Sequence, residues 1–143
     1  MRLSEHFTLE EMCYSDTARR NNIRNFAIPP IQKNLGYLCQ NLLEPLRKRI
    51  NQPIIITSGY RCERLNQLVG GSPRSQHVYG QAVDIRVNGV SPEALYLIIK
   101  TSGLAYDQLI LEETKTAKWV HVSYTKHNRK QNLLYKNGKY TID

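Results

Sequence analysis

The chain has 143 residues, enough for one domain with its own core rather than a mini-protein held by disulfides. Apolar residues make up 41% and charged residues 22%, and no run approaches the roughly 18 consecutive apolar residues of a membrane span. A net charge of +8 and a pI near 9.5 favour polyanions, whether nucleic acid, acidic lipid or wall polymer. The basic residues are scattered, with no run longer than Arg47–Lys48–Arg49, and no nucleic-acid motif accompanies them, so no specific nucleic-acid partner is expected.

The N-terminal MRLSEHFTLEEM lacks the apolar stretch of a signal peptide, so no export signal is visible. Cys13, Cys39 and Cys62 are odd in number and form no CxxC pair; they read as core or surface thiols, not as a disulfide framework or a cysteine metal site. Residues 4–28 are polar and irregular, with a short helical candidate in which Thr8 caps and Glu11 closes a capping box. From Pro29–Pro30 onward, Ile31, Leu35, Leu38, Leu42, Leu46 and Ile50 recur at helical spacing, and Pro45 should kink or interrupt that helix. PIIITS (53–58) reads as a strand, 61–69 as a helix stopped by Gly70–Gly71, and AVDIRV (82–87) as a second strand.

A helix follows over 91–103, with Ser91 as N-cap, Pro92 at the first position and Gly103 past its end. DQLILE (107–112) and KWVHVSY (118–124) alternate like strands around a polar loop, and Asn137–Gly138 signals a hairpin in the C-terminal segment. Helices mixed with short, sequence-adjacent strands predict an α+β fold in one domain over 1–143.

Alternation fixes which side chains share a face. Asp84 lies with Ala82 and Arg86 on one side of 82–87, opposite Val83, Ile85 and Val87; His121 lies with Trp119 and Ser123, opposite Val120 and Val122. Each strand thus has an apolar side for the core and one metal-ligand type on its other side. His77 precedes the first of these strands, and Gly80 lets the chain bend between them. Two histidines and a carboxylate form a catalytic zinc set that leaves a fourth position for water, and a dication would make a buried Asp84 tolerable.

A hairpin closed around 113–118 sets Glu112 opposite Trp119 and Ile110 opposite His121. Glu112 and His121 are then diagonal neighbours about 7–8 Å apart at the backbone, and Glu113 points the other way. Each residue also has a plainer reading. The two histidines and the aspartate can be a chance grouping, Glu112 an ordinary strand-end acid, and Arg61 either a solvated helix-start residue or a guanidinium aimed at substrate. His6 and His127 read as surface histidines.

Taken together, ITSGYRCERLNQLVGG, SPRSQHVYGQAVDI and QLILE…WVHVSY resemble zinc peptidases of the D-Ala-D-Ala carboxypeptidase type, family M15. The SxHxxGxAxD motif of that family is matched by Ser75, His77, Gly80, Ala82 and Asp84, its later histidine by His121, and the arginine of its SGYR element by Arg61. The resemblance runs from LSEHFTLEEM to about Tyr124, which implies a domain core at about 4–124 with helices packed on a small, mostly antiparallel sheet, and a tail at 125–143.

What it implies is the compact fold shared with the Hedgehog signalling domain, with Zn2+ held by His77, Asp84 and His121. It also implies hydrolysis of peptidoglycan stem peptides, of the D-Ala-D-Ala carboxypeptidase or L-Ala-D-Glu endopeptidase type, with Arg61 stabilising the oxyanion or binding a carboxylate and Ser75 orienting substrate. Some relatives place the catalytic glutamate three residues before the last histidine; here that position is Lys118, so the base would be Glu112. Related domains also bind zinc without cleaving anything, which leaves a non-catalytic wall- or protein-binding module as the alternative. The missing export signal fits a phage or prophage lysin made in the cytoplasm and released to the wall, and a monomer is the default expectation.

Overall fold

A computed structural model describes residues 1–143. The N-terminal segment is more ordered than its polarity suggests. Strands β1 (Arg2–Ser4) and β2 (Phe7–Thr8) pair, and β2 leads into α1 (Leu9–Cys13). The capping box is complete: Thr8 Oγ1 accepts from the Glu11 N–H at 3.2 Å, and Glu11 Oε1 accepts from the Thr8 N–H at 2.9 Å. A second short helix, α2 (Asp16–Arg20), follows immediately, its first turn capped by Ser15 Oγ accepting from the Ala18 N–H. The Ser15–Asp16 pair was a legible start signal for a helix in a stretch expected to be irregular.

The long amphipathic stretch is helical from end to end, as α3 (Pro29–Leu38), a π-helical turn (Cys39–Leu43) and α4 (Glu44–Ile50). Pro45 does not break it. The proline lacks an N–H and its ring crowds the carbonyl one turn back, and widening the preceding turn relieves that crowding without ending the helix. Leu35, Leu38, Leu42, Leu43 and Leu46 are all fully buried, so the widened turn keeps one continuous apolar stripe facing inward.

Strand β3 (Ile55–Ser58), helix α5 (Glu63–Leu68), strand β4 (Ala82–Arg86), helix α6 (Pro92–Lys100), and strands β5 (Gln108–Glu113), β6 (Lys118–Ser123), β7 (Gln131–Lys136) and β8 (Lys139–Ile142) complete the chain. The sheet order is β3-β4-β6-β5-β7-β8, antiparallel except for the parallel pair β5/β7. The α+β expectation, with a mostly antiparallel sheet, therefore holds. The segment 125–143, expected as a tail, instead supplies two of the six strands. It has to cross the start of β5 to do so, and Asp107 staples that crossing. Its carboxylate accepts from the Arg129 N–H (3.0 Å), Arg129 Nε (2.9 Å), an Arg129 terminal nitrogen (2.8 Å) and Gln76 Nε2 (2.8 Å).

Period-two alternation decides the layering. Val83, Ile85, Leu109, Val120 and Val122 join the helix leucines and Leu95 and Ile99 of α6 in one core of 22 buried residues. The helices cover that face of the sheet. The other face carries Asp84, His121, Ile110 and Glu112 and floors a cleft of about 400 Å³.

Candidate metal centre and cleft

Strand pairing puts Asp84 directly beside His121, and β5/β6 has the expected hairpin register, with Ile110 opposite His121 and Glu112 opposite Trp119. His77 reaches the same point from the β3–β4 connection. His77 Nε2 is 3.3 Å and His121 Nδ1 3.1 Å from the same oxygen, Asp84 Oδ1, and the two imidazoles meet edge to face with centroids 5.1 Å apart. All three residues are buried, and one ligand atom from each lies within 4.8 Å of the others. Three such donors converging at this separation fit a divalent transition metal of the zinc type, which takes imidazole nitrogen and carboxylate oxygen together.

The His77 loop is held from three sides. His77 Nδ1–H donates to the Gly59 carbonyl at 2.7 Å, which leaves Nε2 facing Asp84 and holds the ring in that orientation. Gly59 has no alternative there, since a Cβ would stand 2.1 Å from the Met12 carbonyl oxygen. Gly80, at φ +71°, turns the chain against Ile31 so that β4 can begin. Ser75 Oγ accepts from the His77 N–H at 3.2 Å and from an Arg61 terminal nitrogen at 3.4 Å.

The electrostatics follow from burial and from the shared carboxylate. Desolvation opposes the Asp84 charge, but hydrogen bonds from His121 and His77 outweigh it and hold the carboxyl far below its ordinary range. Burial lowers His77, whereas in His121 the bond to Asp84 and the charges of Asp84 and Glu112 overcome burial and raise it. Burial raises Glu112 above the usual carboxylate value, which makes it a readier proton acceptor near neutral pH.

Arg61 is mostly buried beside Asp84 and Glu112, and its Nε has no partner. Its remaining contacts, to Ser58 and Ser75, are long at 3.5 and 3.4 Å, so a guanidinium with unspent donors faces the cleft. Lys118 turns away and pairs with Glu93 and Glu113, so the position that holds the glutamate in some relatives is not at this site.

Four lining residues escaped the sequence reading. Trp119, opposite Glu112, has a buried indole N–H with no partner of good geometry; the looser contact to Glu112 still favours that carboxylate. Gln76 lines the cleft and is tied to Asp107, and Tyr135 and Tyr140 line it from β7 and β8. The Asn137–Gly138 turn signalled a hairpin, but not which strand it would join. Elsewhere, Glu5, His6 and Glu44 cluster near the surface, where His6 Nδ1 pairs with Glu44 Oε2 at 2.9 Å. Cys13 and Cys39 are inert thiols, pushed by burial up to about 11 and about 12.

Helices on one face of a small sheet, with Asp84 and His121 on the other face and His77 reaching them from a loop, define a candidate metal centre at the floor of a cleft. A family model described as Peptidase M15 matches residues 5–123, and the chain belongs to that family. No curated protein matches it at a significant level.

Proposed function

We propose that this peptidase is a zinc enzyme that hydrolyses peptide bonds in the stem peptides of bacterial peptidoglycan, of the D-Ala-D-Ala carboxypeptidase or L-Ala-D-Glu endopeptidase type. One observation carries the reading: a carboxylate made basic by burial, Glu112, and an unsatisfied guanidinium, Arg61, face the same cleft floor as the buried trio His77, Asp84 and His121. M15 membership supports the peptide substrate, and the +8 charge suits an anionic wall.

His77, Asp84 and His121 would hold the zinc, which when bound supplies Lewis-acid polarisation of a carbonyl and activation of water. Glu112 takes a proton from the attacking water as its oxygen bonds to the scissile carbon, and returns it to the departing amine as the C–N bond breaks. Arg61 donates to the carbonyl oxygen as negative charge gathers there, and Ser75, bonded to Arg61, keeps the guanidinium turned inward. On this reading the protein acts at the bacterial cell wall.

Mass spectrometry of purified peptidoglycan incubated with the protein tests this, with and without a zinc chelator and alongside Glu112→Gln. New fragments that vanish with chelator and with the variant support the enzyme, and their masses name the bond. Intact peptidoglycan from folded, zinc-loaded protein, across walls of several stem-peptide chemistries, would leave the trio as a recognition or structural site.

A further inference from the structure

The C-terminal hairpin lies outside residues 5–123, yet it builds one end of the cleft. Glu112 pairs with Trp119 on one side and with Tyr135 on the other, and Tyr135 pairs with Tyr140. Trp119, Glu112, Tyr135 and Tyr140 therefore form a single row across β6, β5, β7 and β8, on the same face as the ligand trio. The two tyrosine rings sit with centroids 4.7 Å apart and planes 56° apart, which makes a notch and not a flat platform. Tyr140 keeps 55% of its surface exposed, so the notch is open to whatever enters the cleft.

Sheet order fixes how far this notch lies from the chemistry. Three strand spacings separate His121 on β6 from Tyr140 on β8, roughly 14 Å, which is the reach of about four residues of extended chain. At the other end of the sheet order, Arg61 and Ser75 come from the β3–β4 connection. The cleft thus has a cationic end and an aromatic end, with the candidate metal ligands and Glu112 between them.

We propose that the β7–β8 hairpin is a substrate-selecting element, in which Tyr135 and Tyr140 hold an aliphatic side chain or a saturated sugar ring several residues away from the bond that is cut. Both sources offer the same chemistry, a compact face of C–H groups, which aromatic ring faces bury well. The inference rests on the peptidase reading above and deepens it: the preferred substrate is a chain that continues past the scissile bond, not a dipeptide.

The test is kcat/KM of the full chain, with zinc, on synthetic stem peptides of increasing length and on the longest of them carrying its amino sugar. The wild type gains about tenfold or more from the shortest cleaved substrate to the longest; Tyr140→Ala and Tyr135→Ala flatten that gain, and Tyr140→Phe keeps it. Tyr37→Ala, which removes an exposed aromatic outside the cleft, leaves the gain intact. A gain on adding residues identifies the occupant as a side chain, and a gain only on adding sugar identifies it as the ring.

The inference is overturned by a wild type indifferent both to length and to the sugar, by a gain that survives both alanine variants, or by Tyr140→Phe losing as much as Tyr140→Ala. Should Tyr135→Ala fail to fold, the more exposed Tyr140 decides the matter alone. A wild type that cleaves none of the substrates sinks the peptidase reading itself, and this one with it.

Discussion

Glu112 stands one row from His121 on the same face of the sheet, a diagonal neighbour across β5 and β6 because their direct partners are Trp119 and Ile110. That offset puts a carboxylate next to the candidate metal ligands without making it one of them.

Its burial has a kinetic signature. Burial raises Glu112 above the ordinary carboxylate value of 4.5, and the working form is the deprotonated one. With bound metal checked at each pH, kcat/KM climbs with pH along an acid limb that reports loss of the Glu112 proton. Glu112→Gln lowers kcat on the order of a thousandfold and removes that limb. An acid limb that survives in metal-loaded Glu112→Gln would assign the base elsewhere.

Arg61 is predicted to matter in the transition state more than in the fold. Its two protein contacts are long and its Nε is unpaired, so removing it breaks little. Arg61→Lys, which keeps the charge but loses the planar fork, lowers kcat/KM by about a hundredfold. The melting temperature moves by only a few degrees. A melting loss as large as that of a core truncation would mean that the guanidinium is structural.

Zinc should stabilise the chain through the trio alone. Metal at a hundred times its dissociation constant adds about 2.7 kcal/mol to the folded state, read as an upward shift of the thermal midpoint. His121→Ala and Asp84→Asn abolish the shift, whereas His6→Ala, in the surface cluster with Glu44, leaves it in place. Equal shifts in all three variants would locate the metal at another site.

The staple at Asp107 gives a stability test away from the chemistry. Hydrogen bonds from Arg129 hold its carboxyl at about 2, against 3.8 for the ordinary group. A folded-state pKa depressed in this way contributes stability that is fully present above about 4 and is lost as pH falls toward 2. The contribution is about 2 kcal/mol at neutral pH. Asp107→Asn should lose that amount at pH 7 and flatten the loss between pH 4 and 2, as followed by urea unfolding. An unaltered acid profile in the variant would show that other carboxylates set it.

Much of this site was legible before any coordinates. The alternation in AVDIRV and WVHVS assigns Asp84 and His121 to the non-core face, and the hairpin around 113–118 sets Glu112 against Trp119, because both are short-range consequences of a two-residue period. The capping box at Thr8 and the turn at Asn137–Gly138 were equally local. What stayed hidden depends on partners remote in sequence. Nothing in LLYKN states that β7 docks parallel to β5, and only that docking carries Tyr135 and Tyr140 into the cleft. Asp107 looked like the polar start of a strand; its role appears once Arg129 and Gln76 arrive from two other segments. Pro45 signals an interruption of the helix because the cost of a lost hydrogen bond is visible in sequence, whereas the π-helical turn that accommodates it is not.

The pairing of Asp84 with His121, 37 residues apart in the chain, also fixes an order of events during synthesis. Contacts of that span form late, after the local helices and the β5–β6 hairpin, because the intervening loop must close first. Until β4 docks on β6, the chain emerging from the ribosome carries two histidines and an aspartate that do not know one another and cannot compete for metal as a group. Metal bound by all three residues together would therefore report that β4 has docked on β6.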